Sequence, residues 1–122
     1  VATDRAPAAT GPYSQAVAAG RMMYTSGQIP LDPATGELVA GDIATQARRV
    51  FDNLHAVCAA ADTDFSHVVR VGIYLVDLGD FAQVNAVMAE YFNAPYPARS
   101  TIGVASLPKG AQVEVDLVLA LD

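Results

Sequence analysis

The sequence is poor in cysteine, in cations and in long apolar stretches, and each shortage excludes a class of protein. Cys58 is the single cysteine, which excludes an internal disulfide and suits a reducing compartment. No uninterrupted apolar stretch approaches the ~20 residues needed to cross a bilayer, and the start has neither the basic nor the apolar region of a signal peptide. We therefore expect a soluble, cytoplasmic protein with no membrane partner.

Charge and histidine content argue against two further classes. The chain has 7 Lys and Arg against 13 Asp and Glu, a net charge of −6, and the cations are scattered. Nucleic-acid binders present a basic face that neutralises phosphates, so we expect no nucleic-acid partner. His55 and His67 have no ligand-like spacing, so we expect neither a metal site nor a histidine-pair ribonuclease site.

Length and hydrophobic pattern predict one α+β domain over residues 1–122, with its elements in the order ββαβαββ. Alternating or β-branched runs predict five strands: Gln15 to Ala19, Met22 to Gly27, Val68 to Asp77, Ser100 to Ser106 and Gln112 to Leu121. The first two strands are expected to form a hairpin around Gly20. The whole is a mixed sheet with two helices packed on one face.

The two helices are predicted from apolar residues at helical spacing. The first is expected to follow the N-cap Asp42 and to run for about five turns. Its end, Ala60-Ala61-Asp62-Thr63, lacks the glycine that usually caps a helix. The second helix is expected to begin at Asp80 and to stop before Pro95, because the residue before a proline avoids helical ψ.

The two faces of the sheet differ in composition. Two helices can cover one face, and the aliphatic rows are expected there: Val69, Val71, Ile73, Leu75, Val113, Val115, Leu117, Leu119 and Leu121. The other face then carries Val68, Arg70, Tyr74, Val76, Glu114, Asp116, Val118 and Ala120. That surface is too apolar for water and too polar for a dry core. It predicts an interface.

The most informative run joins Pro97-Ala98-Arg99-Ser100 to a Leu107-Pro108 turn and then to Val113-Glu114-Val115. It predicts an arginine at the mouth of one strand and a glutamate in the strand that returns beside it. An arginine fork beside a carboxylate can hold an anionic substrate and a water together.

Further motifs precede this run in the chain: Gly11-Pro12-Tyr13-Ser14-Gln15, Ser26-Gly27-Gln28-Ile29-Pro30, Asp32-Pro33-Ala34-Thr35-Gly36-Glu37 and Asp80-Phe81-Ala82-Gln83-Val84-Asn85. In order and approximate spacing, all of them closely resemble the reactive intermediate deaminase family, also called Rid or YjgF-like, and its RidA-type members. The resemblance extends from about residue 6 to the C-terminus.

The resemblance implies a fold, an assembly and an activity. The fold would be chorismate-mutase-like, and the assembly a homotrimer with three sites in clefts between subunits. The activity would be a 2-iminobutanoate/2-iminopropanoate deaminase, a hydrolase of metabolite damage control. Its substrates, small anionic 2-imino acids released by pyridoxal-phosphate-dependent serine and threonine dehydratases, would become 2-keto acids and ammonia. No cofactor is required, because imines are already electrophilic.

The resemblance also implies the site residues. Arg99 would grip the substrate carboxylate, and Glu114 would hold and deprotonate the attacking water. The Tyr13 hydroxyl would help to orient the imine. The implied substrate-binding residues are Ser26, Gly27, Asn85 and Thr101. Many members carry cysteine where this chain has Thr101, so thiol chemistry is absent at that position.

Other interpretations of these residues stay open. Arg99 could be a surface arginine or one partner of a structural ion pair, and Glu114 could pair with Arg70 on the neighbouring strand. Two other functions also stay open: a small-molecule-binding or chaperone-like protein without turnover, and the endoribonuclease activity of some relatives. The acidic charge and the missing histidine pair weigh against the latter. Cys58 is expected to be inert core.

Overall fold

The computed structural model describes residues 1–122, and its elements follow the predicted order ββαβαββ. The strands are β1 (Ala16–Ala19), β2 (Met22–Thr25), β3 (Val68–Leu75), β4 (Ala98–Gly103) and β5 (Val113–Ala120). The helices are α1 (Ile43–Ala60) and α2 (Phe81–Tyr91). Neither helix is long and apolar enough to span a membrane. The predicted fold class is confirmed.

The five strands form one mixed sheet in the order β1-β2-β5-β3-β4. β3 and β4 are parallel and are joined through α2, the crossover that a parallel pair requires. All other neighbours are antiparallel. The last strand of the chain therefore lies inside the sheet, and β3 separates it from β4.

One hydrophobic core lies between the sheet and the two helices. Along β5, fully buried residues alternate with half-buried ones, as expected for a strand with one covered face. The fully buried side chains of α1 that meet the sheet include Val50, Phe51, Leu54 and Val57. Cys58 is also buried, and burial raises the pKa of its thiol to about 12, so the thiol stays protonated at neutral pH. Its predicted place in the core is confirmed.

The start of β3 departs from the predicted pattern. A bulge between Val68 and Arg70 shifts the pairing with β5. Val68 is consequently buried in the core, whereas Val69 is 44% exposed. The assignment of Val69 to the core face and Val68 to the other face is wrong, because an extra residue in a strand reverses the faces of those before it. From Val71 onward the predicted faces are confirmed.

The two helices begin differently. Asp42 is the N-cap of α1 as predicted, and its Oδ1 accepts a hydrogen bond from the Thr45 N–H at 2.9 Å. That backbone hydrogen bond lowers the pKa of Asp42 from its usual value. Asp80 occupies the corresponding position of α2 without a side-chain cap, and the helix ends at Tyr91, before Pro95.

Helix α1 ends in a Schellman motif that has aspartate where glycine is usual. Asp62 adopts the left-handed conformation, with φ of 57°. Its N–H donates to the Ala59 carbonyl at 3.0 Å, and the Thr63 N–H donates to the Cys58 carbonyl at 3.0 Å. The predicted absence of a glycine cap is thus real, and Asp62 supplies the required backbone conformation at a cost in strain.

We expect Asp62→Gly to raise the free energy of unfolding by about 1 kcal/mol, measured by chemical denaturation. Glycine adopts a positive φ without a Cβ clash, and the change removes a negative charge from the C-terminus of the helix. Asp62→Asn removes the charge but keeps the Cβ, so it should recover a smaller part of the gain. An Asp62→Gly variant no more stable than the parent protein would contradict this account.

Candidate functional site

Arg99 lies on β4, and its side chain faces helix α2. Arg99 is in register with Val71 of β3, whose side chain lies in the core, so both occupy the helix-covered side of the sheet. Its Nη1 donates to Oδ1 of Asn85 and lies 3.8 Å from Sδ of Met88. The guanidinium carbon is 5.2 Å from the ring centre of Phe81. Helix α2 therefore supplies the contacts that orient Arg99.

A groove of about 470 Å³ runs beside this guanidinium, lined by Asn85, Met88, Ala89, Tyr96, Pro97 and Arg99. Arg99 is exposed and forms no ion pair within the chain. Because only Nη1 is engaged, the other guanidinium donors are free to bind a carboxylate in two parallel hydrogen bonds.

Thr101 lies two residues beyond Arg99, on the same side of β4, in register with Ile73. Its Oγ1 is buried and has no hydrogen-bond partner within the chain. Buried hydroxyls usually have a partner, so this group is available to a ligand or to a neighbouring surface. The structure thus groups Arg99, Asn85 and Thr101 on the helix-covered side of the sheet.

Glu114 lies on the opposite face of the sheet. It alternates with Val113 and Val115, which are fully buried, so its side chain leaves the face that the helices do not cover. Hydrogen bonds of 2.8 and 3.1 Å between the backbones of Gln28 and Val115 bring the segment after β2 alongside β5. The Glu114 carboxyl group lies against Gly27, where an added Cβ would be 2.8 Å from Cδ and closer still to Oε2.

The electrostatic surroundings of Glu114 favour its protonated form. Burial raises the pKa of Glu114, and the neighbouring Asp116 carboxylate raises that pKa further. No side chain of the chain donates a hydrogen bond to Glu114 or pairs with it. A half-buried carboxylate with a raised pKa is a better proton acceptor than an exposed one.

The alternative pairing of Glu114 with Arg70 is not formed. Arg70 is in register with Val118, four residues along β5 from Glu114. Its Nη2 donates instead to Oγ of Ser100 at 3.1 Å.

A cleft of about 510 Å³ surrounds Glu114. Its lining includes Tyr13, Gly27, Gly36 and Lys109. The Tyr13 side chain is 51% exposed, and its hydroxyl accepts a hydrogen bond from the backbone N–H of the nearby Thr10 at 3.4 Å. The structure thus brings together Tyr13, Gly27 and Glu114.

Ser26 helps to shape this cleft through hydrogen bonds to backbone carbonyl groups. Its Oγ donates to the Ser14 carbonyl at 2.6 Å, and its N–H donates to the Gln15 carbonyl at 3.0 Å. These bonds tie the end of β2 to the loop that carries Tyr13. The Ser26 hydroxyl is therefore engaged within the chain.

The sequence motifs did not reveal several residues that shape these two groups. Gln15 is buried, and its amide donates to the Pro7 carbonyl at 2.8 Å and to the Thr3 carbonyl at 3.0 Å, which holds the N-terminal segment beside Tyr13. Lys109 Nζ donates to the Gly36 carbonyl at 3.0 Å across the cleft. Neither contact has a local sequence signal.

For Phe81 and Met88, in contrast, the sequence does contain a signal, which is their helical spacing from Asn85. They lie four residues before and three residues after Asn85, so one stripe of α2 carries all three side chains.

Arg99 and Glu114 do not meet within one chain. Arg99 is in register with Val71, and Glu114 with Tyr74, three residues further along β3. Two strand spacings and three residues place their Cα atoms about 14 Å apart, on opposite faces of the sheet. The expectation that the glutamate strand returns directly beside the arginine strand is wrong, because β3 occupies the place between β4 and β5.

The chain matches known proteins over nearly its whole length. The family model described as endoribonuclease L-PSP matches residues 3–121. The chain is 58% identical over 118 residues to protein DfrA of Myxococcus xanthus, which covers 95% of this chain and 90% of that protein. It is 45% identical over 118 residues to the 2-iminobutanoate/2-iminopropanoate deaminase of Bos taurus, which covers 97% of this chain and 86% of that protein.

Two solved structures share the fold at substantial sequence identity. RidA from an Antarctic Psychrobacter bacterium matches with a TM-score of 0.94 and 47% identity, over 98% of this chain and 97% of that one. TdcF from E. coli, solved with bound serine, matches with a TM-score of 0.93 and 41% identity, over 98% of this chain and 96% of that one.

We expect Gly27→Ala to lower the free energy of unfolding by about 1–3 kcal/mol, because the new Cβ would displace the Glu114 side chain. Chemical denaturation at one fixed protein concentration measures this cost. In a Glu114→Ala background the same substitution should cost much less, since no side chain then extends toward position 27. Equal costs in the two backgrounds would show that the Gly27–Glu114 contact is unimportant.

Proposed function

The chain belongs to the endoribonuclease L-PSP family, which includes the Rid and YjgF proteins, and on that basis we propose that it hydrolyses reactive 2-imino acids to 2-keto acids and ammonia. The observation that carries the proposal is the state of two charged side chains, Arg99 and Glu114. Arg99 is oriented by α2 with free donors, and Glu114 is a half-buried carboxylate that no cation of its own chain neutralises. The deaminase name of the bovine relative supports this reaction, and the serine in TdcF supports a small ligand with a carboxylate.

Arg99 binds the substrate carboxylate in this proposal. Asn85 and Phe81 hold the guanidinium in one orientation, so less side-chain entropy is lost when the substrate binds. Two charge-assisted hydrogen bonds to one carboxylate then fix the direction of the imine carbon. The Thr101 hydroxyl, on the same side of β4, gains a hydrogen-bond partner in the bound substrate or its water.

Glu114 acts on the attacking water. It takes a proton from the water as the oxygen attacks C2 of the protonated imine, which gives a neutral tetrahedral carbinolamine. Glu114 gives this proton to the nitrogen, and as the C–N bond breaks it takes the hydroxyl proton of the carbinolamine, so the 2-keto acid forms and ammonia leaves, carrying that last proton away as ammonium. Such general base catalysis contributes roughly 10²–10⁴ in rate. The imine carbon is already electrophilic, so the proposed route uses neither cofactor nor metal.

The other predicted residues support these two groups. The Tyr13 hydroxyl lies in the cleft of Glu114 and orients the imine or its water. Gly27 leaves the space that the Glu114 carboxyl group occupies. Ser26, whose hydroxyl is bound to the Ser14 carbonyl, holds the Tyr13 loop against the end of β2.

One substrate can meet both Arg99 and Glu114 only if they come from two copies of the chain. The two residues lie on opposite faces of the sheet, too far apart for a small imino acid to span. The uncovered face carries Val17, Tyr24 and Ile102, each about half exposed, which favours burial against another copy. We propose the homotrimer that the family resemblance implies, with a site at each of its three interfaces.

The endoribonuclease description of the family model makes RNA cleavage the second candidate. The net charge of −6 and the exposed acidic residues disfavour an RNA surface. An arginine fork binds phosphate as well as carboxylate, so Arg99 does not distinguish the two reactions, and the acidic charge is the observation that favours the imino acid.

The protein should release ammonia from freshly generated 2-iminopropanoate and 2-iminobutanoate faster than buffer does. Arg99→Lys keeps the charge but loses the fork, so the rate should fall at least about tenfold. Glu114→Gln should lower kcat by about 10² or more, because an amide cannot accept the proton of water. Coupled ammonia and keto-acid assays measure both.

Matched controls for these variants lie on the helical surface. Arg48 and Glu90 form an exposed ion pair of 2.9 Å between α1 and α2. Arg48→Lys and Glu90→Gln repeat the same chemical changes there and should leave the rate unchanged. Parent protein that releases no more ammonia than buffer would contradict the proposed reaction, and normal kinetics in folded Arg99→Lys would remove Arg99 from the site.

Mixing two inactive variants tests the shared site. Arg99→Ala and Glu114→Gln chains, refolded or co-expressed in equal amounts, should recover about a quarter of the parent activity, since one interface in four then receives both intact residues. Each variant mixed with itself should remain inactive. If the two residues act within a single chain, the mixture will show no recovery.

A further inference from the structure

A second carboxylate, Asp116, lies beside Glu114 on the uncovered face of the sheet. Fully buried Val115 separates them in sequence, so both side chains leave the same face of β5. The two-residue spacing places their Cα atoms about 7 Å apart. Both residues are half-buried, and neither forms an ion pair within the chain. Two like charges are therefore held close together without a neutralising partner.

Strand β3 fixes the position of Asp116. The Tyr74 hydroxyl donates to its Oδ2 at 3.0 Å. Its other oxygen, Oδ1, lies over Gly72, where an added Cβ would overlap it. Gly72 is also the residue in register with Asp116, in a buried stretch of β3. Glycine weakens the interior of a strand, and here it leaves the space into which this carboxylate fits.

We propose that Asp116 is a positioning residue for Glu114: anchored by Tyr74 over Gly72, it holds a fixed negative charge beside Glu114 and sets the pH range in which Glu114 can accept a proton. This inference rests on the proposed role of Glu114 as the group that activates water. Neither Asp116 nor Tyr74 needs to touch the substrate for the effect.

Several other charged or titratable groups face Glu114. On its own chain these are Asp116 from β5, Tyr74 from β3, Tyr13 from the N-terminal loop and Lys109 from the turn before β5. Arg70 of β3 lies on the same face, but it is in register with Val118 and binds Ser100. In the proposed trimer, Arg99 of a second copy also faces Glu114. The cation of the second copy, Arg99, favours the ionised form of Glu114, and Asp116 opposes it.

In the free enzyme, the negative charge of Asp116 counteracts the effect of Arg99 on Glu114. Before substrate binds, the guanidinium of Arg99 lies unpaired at the shared site, and it lowers the pKa of a nearby carboxyl group. A carboxylate weakened in this way would be a poor base. Asp116 offsets the cation, in agreement with its contribution to the raised pKa of Glu114. Once the substrate carboxylate neutralises Arg99, Asp116 favours transfer of the water proton to Glu114.

The test is the pH dependence of kcat/KM in the Asp116→Asn variant. Glu114 works deprotonated, so activity falls as the pH drops through its pKa. Without the Asp116 charge that pKa is lower, and the loss of activity should occur at a lower pH. The acid limb is the pH range in which kcat/KM falls as Glu114 becomes protonated. There, the ratio of kcat/KM to its plateau value should be at least about threefold larger in the variant than in the parent protein, which is the effect of one unit charge at this spacing. The plateau itself should fall, because Glu114 becomes a weaker base.

Glu90→Gln removes one negative charge on the far surface and is the matched control, so its acid limb should stay in place. A second measurement does not depend on turnover: titration of the Glu114 carboxyl carbon by NMR in parent and Asp116→Asn protein. A lower midpoint in the variant supports the inference even if the parent protein proves not to be a deaminase. An unchanged midpoint overturns it, as does a shifted midpoint in an active enzyme whose acid limb does not move.

Discussion

The antiparallel pairing of β3 with β5 is the interaction on which the rest of the structure depends. It places the last strand of the chain inside the sheet, beside a strand that precedes it by about forty residues. Alternate residues of both strands enter the core beneath the helices, and the residues between them form the uncovered face. The same alternation places Arg99 and Glu114 on opposite faces of the sheet, so the pattern that forms the core also determines the layout of the candidate site.

Two glycines show how the backbone makes room for charge on that uncovered face. Gly27 lies against the Glu114 carboxyl group, and Gly72 lies beneath the Asp116 carboxylate. At both positions the absence of a Cβ lets an acidic side chain lie close to the sheet, where it loses contact with water. Partial burial is the main cause of the raised pKa of Glu114, so small residues on neighbouring strands contribute to its chemistry.

Local pattern was enough to predict the elements but not their arrangement. Period-two runs and helical spacing predicted every strand and helix, and Asp42 was recognisable as an N-cap because capping involves only the next three residues. The bulge at Val68 was not predictable, since both valines suit either face. The position of β3 between β4 and β5 depends on pairing across the whole domain, and no nearby residue signals it. The motifs therefore identified candidate site residues, but they could not indicate that Arg99 and Glu114 face opposite ways.

Because Arg99 and Glu114 lie on opposite faces of the sheet, catalysis in the proposed assembly requires residues from two chains. Each chain carries an arginine already oriented by its own α2 helix, so a lone chain would keep the proposed carboxylate-binding group. In the proposed assembly, turnover would need a neighbouring chain. In that assembly, activity per chain would fall on dilution to concentrations at which the oligomer dissociates. Protein abundance would then control the rate twice, through the number of chains and through the fraction of them that are assembled.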